Sequence, residues 1–103
     1  MDEQAGTEEA VPLQDDLSRL LLRVGRDQDD SAFETLFRHY GPRIRAFMRK
    51  RCGDATQAEE LMQETFANVW RRAGSFDPAR GTVSAWIYTV ARNTSVDVFR
   101  RRN

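Results

Sequence analysis

Apolar side chains recur at intervals of three and four residues along nearly the whole of this chain, and no stretch alternates at period two. Residues so spaced share one face of an α-helix, whereas a half-buried strand requires strict alternation. The chain is therefore confined to helices that bury stripes against one another. The first pattern runs from about Leu13 to Val24, with Leu13, Leu17, Leu20, Leu21 and Val24 on one side and Gly25 as its expected stop. A second opens at Ser31 and Glu34, a capping-box spacing, and aligns Phe33, Leu36, Phe37, Tyr40, Ile44, Phe47 and Met48 until Cys52-Gly53. Gly41-Pro42 interrupts that face, and proline inside a helix removes a donor and crowds the preceding turn, so one bent helix is expected. The third begins after Asp54, with Thr56 and Glu59 again at capping-box spacing, and gathers Ala58, Leu61, Met62, Thr65, Phe66, Val69, Trp70 and Ala73.

Two glycines and a proline in residues 74–81 end that pattern and predict a loop. The last helix spans about Thr82 to Arg101, with Val83, Trp86, Ile87, Val90, Ala91, Thr94 and Val98 inward. The fold class is thus all-α: a compact bundle of three principal helices plus a shorter N-terminal one. A length of 103 residues allows one core and one domain. Residues 1–12 carry four acids with almost no periodic apolar signal, and read as a disordered acidic leader. No apolar run approaches the ~20 residues that span a bilayer. The single cysteine, Cys52, has no partner for an internal disulfide, which fits a reducing cytoplasm.

The zero net charge conceals a division. Residues 1–30 hold nine acids against three arginines, while residues 31–103 hold thirteen basic residues against seven acids. A basic face can bind phosphate even when an acidic segment elsewhere cancels it in the sum. From residue 80 onward Arg80, Arg92, Arg100, Arg101 and Arg102 stand against Asp97 alone, interleaved with Trp86, Tyr88, Asn93 and Phe99. Arginine anchors phosphates, aromatic rings offer faces to unstacked bases, and asparagine can pair with two atoms of an adenine edge. The same residues also read as a core tryptophan, a packing tyrosine and a helix end favoured by the macrodipole. A second basic run, Arg38 to Arg51, fits either a phosphate track or a solvated face. On the third helix Glu59, Glu60, Gln63, Glu64 and Asn68 form an outward acidic side, suited to a basic protein surface or simply to water. Carboxylate metal sites in bundles use Glu-x-x-His motifs, and His39 belongs to none. Nucleophile elbow, P-loop and zincin motifs are missing, so neither catalysis nor a cofactor is expected.

The stretch Glu60-Leu61-Met62-Gln63-Glu64-Thr65-Phe66-Ala67-Asn68-Val69-Trp70 resembles the polymerase-binding helix of extracytoplasmic-function (ECF) sigma factors, usually Asp-Leu-x-Gln-Glu-x-Phe. Further on, Trp86-Ile87-Tyr88-Thr89-Val90-Ala91-Arg92-Asn93, followed by Asp97 and Arg100-Arg101, resembles that family's promoter-binding helix. With the Ala-Phe-x-x-Leu-Phe-x-x-Tyr opening of the second helix, the resemblance covers residues 13–103. It implies a sigma region 2 domain in which Glu60, Gln63, Glu64 and Asn68 dock on the β′ clamp helices of RNA polymerase. The loop 74–82 would capture a base flipped from the non-template strand of the minus-ten element, with Phe76 lining the pocket and Asp77, Arg80, Trp86 and Tyr88 beside it. Asn93 would sit at the duplex edge, and Arg92, Arg100 and Arg101 on the backbone. An anti-sigma protein is a further implied partner. Family members continue into a second, helix-turn-helix domain (region 4), for which no stretch remains after residue 103; the expectation is an excised domain or a truncation. The competing expectation is a helical interaction module that uses the acidic face without touching DNA.

Overall fold

The computed structural model describes residues 14–102, so the leader expected over residues 1–12, and Leu13, lie outside the described residues. Helix α1 spans Gln14–Asp27, α2 Asp30–Cys52 and α3 Ala55–Arg72; a 3-10 turn covers Ala73–Ser75, and α4 spans Val83–Arg102. Among the described residues there is no strand. The all-α expectation, three long helices and a shorter first one, is borne out.

Helix α3 lies between α2 and α4, while α1 crosses α2 and the 3-10 turn. The stripes anticipated from periodicity meet in one core: Leu17, Leu21 and Val24 from α1, Leu36, Tyr40, Ile44 and Met48 from α2, Leu61, Met62, Phe66 and Val69 from α3, and Val83, Ile87, Ala91 and Val98 from α4. Phe66 receives the edges or faces of Phe33 and Phe37 at centroid distances of 6.2 and 5.0 Å, locking α2 to α3. The buried threonine hydroxyls are satisfied within their own helices: Thr65 Oγ1 donates to the Leu61 carbonyl at 2.7 Å and Thr94 Oγ1 to that of Val90 at 2.8 Å. Among the described residues no buried side-chain polar atom lacks a partner.

Helix ends differ from the sequence expectation in three places. Helix α1 continues past Gly25 to Asp27 and stops where Gln28 adopts φ 52°, its N–H donating to the Val24 carbonyl at 2.9 Å. Gly25 answers a packing demand instead, because its backbone lies directly against the 3-10 turn. The cap of α2 is Asp29, which accepts from the Ala32 N–H at 3.1 Å, so Ser31 falls inside the helix and Ser31–Glu34 is no capping box. Likewise Asp54 caps α3 by accepting from the Gln57 N–H at 2.9 Å, in place of the Thr56–Glu59 pair. In both cases an aspartate with extended backbone precedes the first turn and intercepts its free donors. Cys52-Gly53 does end α2, with Gly53 left-handed at φ 71° and its N–H on the Arg49 carbonyl at 2.8 Å. Pro42 stays within one continuous helix. Beside it, Arg43 Nη1 donates to the His39 carbonyl at 2.6 Å, next to the carbonyl whose usual donor proline removes.

Leu36 is wholly buried in the second turn of α2. Leu36→Ala is expected to destabilise the chain by ~2–5 kcal/mol through lost burial and a residual cavity; urea unfolding followed by circular dichroism measures this.

Candidate functional site

The break after α3 is built from turn chemistry. The 3-10 turn closes as the Phe76 N–H donates to the Ala73 carbonyl at 3.1 Å. Asp77 then organises Pro78-Ala79: its Oδ1 accepts from the Ala79 N–H at 2.9 Å and its carbonyl from the Arg80 N–H at 2.9 Å. Thr82 Oγ1 accepts from the Ala85 N–H at 3.1 Å and so starts α4. From α2, Tyr40 shares a 2.7 Å hydroxyl hydrogen bond with Ser84, which fixes where α4 begins.

Between this loop and the first two turns of α4 lies a cleft of about 350 Å³. Phe76, Asp77 and Arg80 line one side, and Thr82, Trp86 and Thr89 the other. Phe76 is only 6% exposed and meets Trp86 edge to face at 5.9 Å, so two aromatic groups form the floor and wall. Phe76, Asp77, Arg80 and Trp86 are thus brought together as the sequence grouping expected. Trp86, placed inward by its spacing, is half-buried, with one side on the core and the other on the cleft. Thr89, Ala85 and Ser75 also line the cleft and were not singled out; the spacing of Thr89, three residues after Trp86 and four before Asn93, was the available signal for it.

Asn93 is exposed, one turn beyond Thr89, and Arg100 lies two turns further on the same side. Arg100 is 3.9 Å from Asp97. Tyr88 turns the other way and packs edge-on against Phe47 of α2 at 5.4 Å, away from the cleft lining. There Arg51 stacks over Phe47 and donates from Nε to Ser95 Oγ at 3.0 Å, one turn from the exposed Arg92. Part of the α2 basic run therefore borders α4. Arg101 points differently from Arg100: its Nη2 donates to Glu64 Oε2 of α3 at 3.1 Å, and Arg102 reaches Glu60 at 3.7 Å. One residue is a rotation of about 100° along a helix, enough to carry the side chain from the cleft side to the α3 side.

Glu60, Gln63 and Glu64 share a broad groove on the outer face of α3, flanked by Glu59, Ala67 and Arg71. Asn68 is partly withdrawn, its Nδ2 donating to Thr94 Oγ1 at 2.8 Å while Arg71 donates to its carbonyl oxygen. Beside this face Phe33, Phe37 and Trp70, which their spacing had placed on the inward stripes but which are only partly buried, line a further cleft of about 370 Å³ over the buried Phe66. Glu59 accepts from Gln63 at 3.0 Å and from Arg45 of α2 at 2.6 Å, and the two bonds hold its carboxyl below the ordinary range. Among the described residues no three His, Cys, Asp or Glu side chains gather as a metal set, and no helix is long and apolar enough to cross a membrane.

A small helical bundle, with an acidic groove on one helix and an aromatic cleft at the root of a basic one, matches a known domain. The chain belongs to the sigma-70 region 2 family, whose profile matches residues 36–103. Among its relatives, the ECF RNA polymerase sigma factor RpoE of Cereibacter sphaeroides is 44% identical over 82 residues, covering 79% of this chain and 45% of that protein. The ECF RNA polymerase sigma factor SigK of Mycobacterium tuberculosis is 36% identical over 88 residues, covering 85% of this chain and 46% of that protein. In solved structures, Rhodobacter sphaeroides SigE in complex with the anti-sigma ChrR superposes with a TM-score of 0.77 at 38% identity, covering 86% of this chain and 54% of that one. The ECF resemblance read from the motifs is borne out, and the chain spans about half the length of the curated relatives it matches.

The Glu59 bonds set an acid dependence. Because the folded value is lowered, the contribution is complete above the unfolded value and is lost as pH falls through the folded one. Glu59→Gln is expected to lower the melting temperature slightly near neutrality and to converge on the wild type at acid pH, which flattens the acid limb of the profile; added salt should shrink the difference at neutrality.

Proposed function

We propose that this chain is the region 2 module of an ECF sigma factor, a non-enzymatic initiation domain that docks on RNA polymerase and opens the promoter minus-ten element. The observation that carries the reading is the cleft between the loop and α4. Its volume of about 350 Å³ falls within the range of small-molecule pockets, ~300–1,000 Å³, and its walls include the rings of Phe76 and Trp86. A base leaving the stack loses its neighbours, at a cost of a few kcal/mol, and an aromatic-walled recess restores part of that contact. Thr89, Asn93 and Arg100 then continue along one exposed side of α4, so a strand anchored in the cleft has amide and guanidinium partners along its path. Arg80 at the rim and Arg92, with Arg51 nearby, supply phosphate contacts. Tyr88, held against Phe47, supports α4 rather than stacking on a base.

The groove of Glu60, Gln63 and Glu64 is the docking face for the β′ clamp helices, a basic surface complementary to it. Asn68 braces this face against α4 through Thr94. An anti-sigma protein that covers either surface would silence the module, and SigE, a relative, was solved in complex with one. The reading places the protein in the cytoplasm, with no cofactor, and its remaining functions in a second, region 4 domain of the kind its family carries.

Titration of the purified chain with fluorescent single-stranded minus-ten oligonucleotides tests this. Asn93→Ala is expected to weaken binding roughly tenfold or more, given ~1–3 kcal/mol for a two-atom base contact, and rising salt should weaken it further. Glu60→Lys should spare the oligonucleotide and abolish binding of a β′ clamp-helix fragment. Clamp binding by the wild-type chain with no affinity for any minus-ten strand would overturn the DNA reading and leave an interaction module.

A further inference from the structure

Gly25 sits in the last turn of a regular helix with an ordinary φ, where glycine is among the weakest helix formers. What holds it there is proximity. A Cβ on Gly25 would lie 2.6 Å from the Ala73 carbonyl oxygen, 2.8 Å from its carbon and 2.9 Å from the Gly74 Cα. All three are backbone atoms, so no side-chain rotation relieves the clash. The Ala73 carbonyl is also the acceptor of the Phe76 N–H at 3.1 Å, the bond that closes the turn and sets where Phe76 leaves it. Phe76 in turn meets Trp86 and walls the cleft. One backbone group therefore bears on α1 with one side and on the cleft's aromatic wall with the other. Helix α1 lies outside residues 36–103, the part matched by the family profile.

We propose that Gly25 is a positioning residue for base capture: its close approach seats the Ala73–Phe76 turn on α1 and thereby sets the width of the cleft. This rests on the reading of that cleft as the base-binding site. Gly25→Ala moves the Ala73 carbonyl, the Phe76 N–H follows it, and the ring shifts against Trp86. Gly41→Ala, at a helical glycine outside the loop and turn, is the matched control, because a Cβ there meets nothing nearer than the Phe37 ring at 4.0 Å, an ordinary contact.

The test compares two minus-ten oligonucleotides, one complete and one abasic at the flipped position, bound to the full 103-residue chain. The wild-type chain and Gly41→Ala should prefer the complete strand to the same degree. Gly25→Ala should lose at least fivefold of that preference, while keeping wild-type affinity for the abasic strand and for the β′ clamp-helix fragment. A Gly25→Ala chain that retains the preference overturns the proposal, with the reading of the cleft intact. An equal loss on both strands, or loss of clamp binding as well, places the damage in the fold at large and overturns it too. A wild-type chain indifferent to the missing base refutes the cleft reading itself, and the role of Gly25 falls with it.

Discussion

Everything in this small bundle is referred to α3, the helix clasped between α2 and α4. Its buried stripe, Ala58, Leu61, Met62, Thr65, Phe66 and Val69, occupies the sides that face those neighbours. Only the remaining arc is left for Glu60, Gln63 and Glu64, so the acidic groove is a consequence of how the core is shared. The same clasp determines where the chain emerges at Ala73, and hence where the loop and α4 can start. A packed interior of this density does not flex to accommodate a displaced helix, so the surface features inherit the rigidity of the core beneath them.

The two candidate faces are connected as well as adjacent. Asn68 reaches from α3 to Thr94 in the middle of α4, and Arg101 at its end reaches back to Glu64. Asn68 and Arg101 therefore sit at the border between an acidic side and an arginine-bearing side. The cleft is bounded differently, by Asp77's turn on one flank and by Tyr40 holding Ser84 on the other, which leaves its geometry dependent on α2 and α1 as much as on α4.

Periodicity alone disclosed the helices, because burying a stripe is the dominant local demand on an amphipathic segment. The stripe of α2, from Leu36 to Met48, and that of α4, from Val83 to Val98, were legible in this way. Caps were harder to place: Asp29 and Ser31, or Asp54 and Thr56, compete for the same free donors, and the winner depends on which backbone is extended. Gly25 was illegible for a deeper reason. A glycine that ends a helix and one that admits another backbone look alike in sequence, and the partner here lies nearly fifty residues away. The cleft-lining residues were grouped by motif, whereas the divergence of Arg100 from Arg101 depends on rotation about α4 relative to α3, which no local pattern encodes.

That rotation bears on how the arginine-rich end would meet a polyanion. Arg100, Arg101 and Arg102 each have a carboxylate within reach, at 3.9, 3.1 and 3.7 Å. Exposed pairs of this kind are worth only ~0–1 kcal/mol, so a phosphate can displace them. Displacement exchanges one anion for another, however, and leaves Glu60 and Glu64 to gather cations of their own. Fewer counterions are then liberated than the tally of arginines would suggest. Were a single strand bound here, its salt dependence, about −0.7 in logarithmic slope per neutralised phosphate, would come mainly from arginines such as Arg80 and Arg92, which form no ion pair among the described residues.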